Sequence, residues 1–338
     1  MHSSPASSYA ATRTQADGVD IVRLSGPSGI SVSIAPRIGN NAFEFLVNGK
    51  NAFWFPYTSV GKLAADPELC GNPFLAPWAN RLDDHGFHFD GTRYALNRTL
   101  GNYLLDQCGQ PIHGLLLYAD QWEVVDLRAD ADSALVTSRL DFSRYPALMA
   151  QFPFAHEIQM TYLLEGRTLE TRTRVTNRGA APMPLSVGFH PYFQLHDSPR
   201  DAWRVRLAAE DVWELNDRFT PTGARLPIES VFPQAGSLPL QGQFLDHVFG
   251  GLRRDGDGWA RFWVEGASER ITVAYGTGYP AAVVYAPSSN GQSFVCFEPM
   301  TGVTNAFNLA HSGRYDELPQ VPPGGAWEAV FRISVDGF

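Results

Sequence analysis

Two stretches of the chain hold an ionisable side chain where neighbouring residues would restrict or bury it. In GFHPYFQL, Gly188 to Leu195, His190 stands among apolar and aromatic residues directly before Pro191. A residue before proline is pushed to extended geometry, which fixes the direction in which the imidazole leaves the chain. A ring that titrates near neutrality and is held in one orientation can pass a proton in either direction. In SFVCFEPMTG, Glu298 ends a strongly apolar run and precedes Pro299. A carboxylate there loses its water, its pKa rises, and it becomes a better general base near neutrality. Two further stretches could hold a ligand. APWANRLDD carries Asn80 and Arg81, and a guanidinium offers a rigid fork of donors for several oxygens at once. QPIHGLLLYADQW carries His113 before Gly114, and glycine lets the backbone approach a ligand closely. By residue type alone each of these also fits a structural role, His190 as a packed core histidine included.

Much other chemistry is excluded. The chain has no P-loop, no G-x-G-x-x-G after a strand, no G-x-S-x-G and no H-E-x-x-H. His85 and His88 flank the start of a strand, where their offset of three sends the side chains to opposite faces and argues against a shared metal. Cys70, Cys108 and Cys296 are odd in number and widely spaced, without a C-x-x-C. That argues against a disulfide framework and a zinc site, and leaves Cys296 as a small buried hydrophobe. The net charge of -9, from 26 basic and 35 acidic residues, disfavours nucleic acid as a partner. No basic run or apolar span points to a membrane. The polar N-terminus lacks the features of a secretory signal. Residues 1–17 read as a disordered leader, residues 18–338 as a single domain, and the location as cytoplasmic.

The elements that must position these groups are strands. Period-two runs such as VDIVRL, ISVSIAP and NAFEFLVNG end at Gly, Pro or Asn. FHFDGTRYAL carries Asp90-Gly91 between two alternating runs, a hairpin signal. HEIQMTYLLEGRTLETRTRVTN reads as two long strands around a turn at Glu165-Gly166. Helical signals are sparse, with one short turn expected in VGKLAADPELCG before Pro67. Many strands with few crossover helices predict an antiparallel all-β fold, a large two-sheet sandwich before a closed barrel or propeller. No repeat at blade-like spacing supports the propeller.

Taken in order, the four stretches resemble the aldose 1-epimerase (galactose mutarotase) family from about Ile30 to Val335. ANRLDDHGFHFDGTRYAL, PIHG with Trp122 downstream, GFHPYF, LDHVFGGL, FVCFEPMTGVTNAFN and PPGGAWEAVFRI carry the resemblance. It implies an antiparallel β-supersandwich that interconverts the α and β anomers of free aldohexoses such as glucose or galactose. It implies no metal and no organic cofactor, and a monosaccharide as the partner of a monomer or homodimer. By motif position Glu298 is the general base and His190 the general acid, while Arg81, His113, Asp246 and Asn80 bind the sugar. His113 is followed by a single glycine where many galactose-type members have two, so the chain looks like a less characterised branch. The alternatives are a hexose-6-phosphate mutarotase and a carbohydrate-binding protein without catalysis.

Overall fold

In the strand His156–Glu165 every second side chain, from His156 through Ile158, Met160 and Tyr162 to Leu164, is buried. Thr168–Asn177 pairs with it across a loop of Gly166 and Arg167. The computed structural model describes residues 8–288 and 292–338, and this hairpin lies within its nine-stranded sheet. The order is Glu123–Ala129, Ala134–Asp141, His156–Glu165, Thr168–Asn177, Ala326–Asp336, Arg270–Tyr275, Ala260–Glu265, Arg204–Arg206 and Leu238–Pro239. A second sheet runs Pro221–Pro227, Ala209–Leu215, Leu245–Leu252, Ala281–Ala286, Val295–Met300, Gly188–Phe189 and Phe74–Leu75, with Tyr192–Phe193 also paired to Val295–Met300. A five-stranded meander from Ala10–Ala16 to Lys50–Asn51 packs near the Glu123–Ala129 end of the nine-stranded sheet. The ladders of the two large sheets are antiparallel.

The two large sheets meet through aromatic side chains. Phe297 of the second sheet lies 6.1 Å, centroid to centroid, from Phe262 of the first. Phe189 lies 4.8 Å from Phe331 and 5.0 Å from Phe74. One apolar core draws on these two sheets and the five-stranded meander, including Leu24, Ile158 and Phe297. This is the expected antiparallel β-supersandwich. The Asp90-Gly91 hairpin forms as expected, with both residues at positive φ, 48° and 72°, the requirement of a type I′ turn. The expected helical turn is Val60–Ala65, which ends before Pro67. No helix among the described residues is long and apolar enough to cross a membrane.

The N-terminal boundary at residue 18 needs correction. Ala10–Ala16, read as part of a leader, is a strand that pairs residue for residue with Val19–Gly26. Asp17 and Gly18, at φ 50° and 80°, form the turn between them. The chain begins its sheet at an Asp-Gly signal of the same kind as Asp90-Gly91. Most of the first strand is solvent-exposed, so it lacks the apolar alternation that marks a buried one. Residues 1–7 lie outside the described residues.

Phe331, fully buried, stands under Phe189, the residue before His190. Phe331→Ala is expected to lower the free energy of unfolding by roughly 3–5 kcal/mol, as for other large-to-alanine core substitutions. Urea denaturation checks this, and a loss below about 1 kcal/mol would mean that this layer does not support the site.

Candidate active site

Strand alternation decides which side of the second sheet Glu298 faces. In Val295–Met300, Val295 and Phe297 join the core between the sheets, while Cys296, Glu298 and Met300 point the other way. The same rule sends Leu245 into the core and Asp246 outward on the strand Leu245–Leu252. Asp246 pairs in register with Tyr285, and Tyr285 with Cys296, so one face carries the carboxylates and an aromatic ring.

His190 reaches Glu298 through register. Gly188 pairs with Met300 and Tyr192 pairs with Cys296. Counting two residues inward from either pair sets His190 opposite Glu298. Pro191 has no N–H, so the ladder is interrupted there and the neighbouring strands are two residues long. The His190 N–H donates instead to the carbonyl of Pro73 at 3.0 Å. Cross-strand neighbours stand close enough for direct contact. His190 Nε2 lies 3.3 Å from Glu298 Oε1, and both side chains are almost wholly buried, 6% and 1% exposed. Tyr192 stacks flat on the imidazole, 4.6 Å between centroids at 7°.

The histidine and arginine segments are joined by an unusual backbone. Asn80 and His113 both adopt positive φ, 55° and 64°, and the His113 N–H donates to the Asn80 carbonyl at 2.9 Å. Arg81 bridges to Ile112, and Gly114, at φ 75°, bridges to Ala76. A Cβ on Gly114 would lie 2.2 Å from the Ala76 carbonyl oxygen, so only glycine fits. This brings the His113 ring within 5.2 Å of the His190 ring, edge to face. Arg81 donates from Nε to Asp106 Oδ2 at 2.9 Å and from Nη2 to Asp246 Oδ2 at 3.3 Å. It also donates from its backbone N–H and Nη1 to Asn80 Oδ1, at 2.9 and 3.2 Å. The Asn80 oxygen is therefore engaged by Arg81.

All six residues singled out in the sequence, Asn80, Arg81, His113, His190, Asp246 and Glu298, line one cavity of about 310 Å³. Asp255 and Asp257, close to Asp246 in sequence, pair with Arg261 instead. Larger clefts, of about 340, 470 and 320 Å³, lie elsewhere. None of the three brings a buried histidine against a buried carboxylate, so chemistry rather than volume selects the site. His85 and His88 part company: His85 Nδ1 meets the Tyr103 hydroxyl at 3.2 Å, and His88 Nδ1 meets Asn308 Oδ1 at 3.0 Å. Cys296 is wholly buried, as a small hydrophobe would be.

Burial sets the electrostatics. It pushes the Glu298 carboxyl well above the ordinary carboxylate range, with Asp246 adding to the rise and Arg81 opposing it. It pulls His190 down to about 3, with its own backbone opposing the fall and the Arg81 charge adding to it. His113 falls well below the usual histidine range through burial, then His190 and Arg81. Glu298 Oε2, His190 Nδ1 and His113 Nδ1 are buried without a protein hydrogen-bond partner. Such atoms are costly unless a ligand or water meets them.

Asp106 and Phe219, both in contact with Arg81, were not singled out in the sequence. Asp106 holds Arg81 and accepts the N–H groups of Cys108 and Gln110, each at 2.8 Å. The pattern DQCGQ is a turn signature with Asp at its head, which could have marked it. Phe219 lines the cavity beside Arg81 with no local sequence signal for that contact.

The chain belongs to the aldose 1-epimerase family, whose sequence profile matches residues 20–334. Its fold is similar to that of a galactose mutarotase-like protein from Clostridium acetobutylicum. The TM-score is 0.85 at 21% identity, covering 98% of this chain and 99% of that one. It is also similar to galactose 1-epimerase from Lactobacillus acidophilus, with TM-score 0.74, 15% identity and 99% and 100% coverage. The Escherichia coli protein YihR is 25% identical over 236 residues, 69% of this chain and 70% of its own length.

Gly114→Ala is expected to cost at least about 2 kcal/mol of stability, because the positive φ and the Ala76 carbonyl both oppose a side chain. Urea denaturation measures it. A variant as stable as the parent would show that the backbone carrying His113 is not held as described.

Proposed function

We propose that the chain is an aldose 1-epimerase that interconverts the α and β anomers of a free, neutral aldohexose such as glucose or galactose. The observation that carries this reading is the His190–Glu298 pair, buried against one cavity with a free carboxylate oxygen. Exchange of anomers needs a base for the C1 hydroxyl and an acid for the ring oxygen. The C1–O5 bond breaks as both protons move, rotation about C1–C2 presents the other carbonyl face, and closure reverses the steps. No group leaves and no electron is transferred. Two proton carriers on the same C1–O5 unit are sufficient, each contributing roughly 10²–10⁴-fold.

In this reading Glu298 takes the C1 hydroxyl proton and His190 protonates the ring oxygen. The pair holds one proton whether it is written as carboxyl and imidazole or as carboxylate and imidazolium. Burial favours the first form, while the Arg81 charge favours an ionised carboxylate. Transfer across the 3.3 Å contact interconverts them with no exchange with solvent. Arg81, His113 and Asp246 would bind the remaining hydroxyls and hold the ring in register. Asn80 would support Arg81 rather than touch the sugar.

Charge around the cavity supports a neutral substrate. Arg81 is the only Lys or Arg among the described residues that line it, and it already donates to both Asp106 and Asp246. A phosphorylated sugar would meet no uncommitted cation there.

Glu298→Gln and His190→Asn are each expected to lower catalysed mutarotation roughly 10²–10⁴-fold. Polarimetry of freshly dissolved α-glucose or α-galactose measures the rate, and circular dichroism confirms the fold. A rate near that of the parent in either variant would remove that residue from the mechanism. The one-proton state is lost to acid only when His190 takes a second proton, near its lowered value of about 3. It is lost to alkali only above the raised value of Glu298. The pH profile of kcat/KM, which reports the free enzyme, should therefore be flat through pH 6.5 with its acid limb near 3. An acid limb at an ordinary histidine value of about 6.5 would contradict the buried neutral pair.

A further inference from the structure

Nothing in the reaction as described requires an aromatic ring at residue 219, yet the backbone holds Phe219 at φ 59°. A bulky side chain is rare in that left-handed region, and such conformations persist where the surroundings impose them. The surroundings here are specific. Phe219 stands at the tip of the hairpin formed by Ala209–Leu215 and Pro221–Pro227. Asn216 closes the tip: its side-chain oxygen accepts the Arg218 N–H at 2.9 Å, the Thr220 N–H at 3.2 Å and the Thr220 hydroxyl at 3.1 Å. The Phe219 N–H donates to the Asn216 carbonyl at 2.9 Å. The buried Gln110 then ties this tip to a second turn, its Nε2 donating to the Arg218 carbonyl at 3.0 Å. That second turn begins with Asp106, the carboxylate that holds Arg81 Nε.

Both turns therefore converge on one guanidinium. Asp106, Asn80 and Asp246 accept from its in-plane edge. The guanidinium carbon lies over the Phe219 ring, 5.1 Å from its centroid. Three in-plane hydrogen bonds fix where the fork sits. A ring packed beside the guanidinium restricts its tilt and adds a cation–π attraction. The remaining N–H groups of Arg81 are the ones left for a ligand, and their direction depends on that tilt.

We infer that Phe219 is a positioning residue for Arg81, and that its ring sets how strongly this site holds a neutral sugar without entering the proton transfer. The inference rests on the reading of the cavity as an aldohexose site. Glu298 lies on a strand and His190 between two short strands paired with it, whereas Phe219 lies on a hairpin tip outside that ladder. Loss of the ring should therefore appear in KM and leave kcat alone.

The experiment compares Phe219→Leu, which keeps an apolar side chain but has no ring face, with Phe219→Tyr, which keeps the face. KM and kcat are read by polarimetry with α-glucose and α-galactose. The Arg81 Nε–H is followed by NMR on arginine-labelled protein, a readout that needs no turnover. Phe219→Leu should raise KM roughly fivefold to thirtyfold with kcat within about twofold, while Phe219→Tyr stays near the parent. The Arg81 signal should shift and exchange faster with solvent in the Leu variant only. Gln110→Ala, which unties the tip without touching the ring, should move both readouts in the same direction and serves if the Leu variant does not fold. A Leu variant with the parent's KM and Arg81 signal would overturn the inference, as would a fall in kcat at unchanged KM. An inactive parent whose Arg81 signal still responds to Phe219→Leu would count against the sugar reaction and for the positioning role.

Discussion

The structure depends on one cross-strand contact, an imidazole and a carboxylate 3.3 Å apart and almost wholly buried. Neither group is comfortable there alone. An ionised carboxylate in that position would lack solvation, and so would an imidazolium. Sharing one proton, with no net charge, is the form of the pair that burial favours. The demands on the rest of the site follow. The strand that carries Glu298 must be paired on both sides, and the chain that carries His190 must keep register with it through Pro191. Both conditions are met in the second sheet, where Val295–Met300 lies between Ala281–Ala286 and the short strands around His190.

The opposite side of the sheet supplies the rigidity. Phe297 and Phe189 neighbour Glu298 and His190 in sequence and point into the aromatic layer between the sheets. A close-packed layer of this kind moves little, so a distance set on one face is kept on the other. The polar half of the site is held differently. Arg81, Asp106 and His113 come from loops and short bridges in which Asn80, His113 and Gly114 adopt positive φ. Sheet geometry places Glu298 and His190, and hydrogen-bonded loops place the groups that would hold a ligand.

The strands were legible because their alternation is strong, as in His156–Glu165, and the Asp90-Gly91 hairpin was legible from its turn residues. Ala10–Ala16 was not, since an exposed strand of Ala, Thr, Arg and Gln has no apolar period to show. Within the site, Glu298 and His190 stood out because an ionisable group in an apolar run is conspicuous. That they are register partners could not be read, because the pairing joins segments far apart in the chain. Asp106 had a turn signature but no apolar setting to mark it. Phe219 had neither, since its only distinction is a tertiary contact and a backbone angle that sequence does not display.

A crystal structure of the protein with glucose or galactose bound is the most direct test of the account. It predicts the sugar in the cavity with O1 and O5 within hydrogen-bond distance of Glu298 and His190, and Arg81 on a hydroxyl remote from C1. A sugar bound with its C1 edge turned away from both, or seated in the cleft of about 340 Å³ that His88 and His311 line, would contradict it.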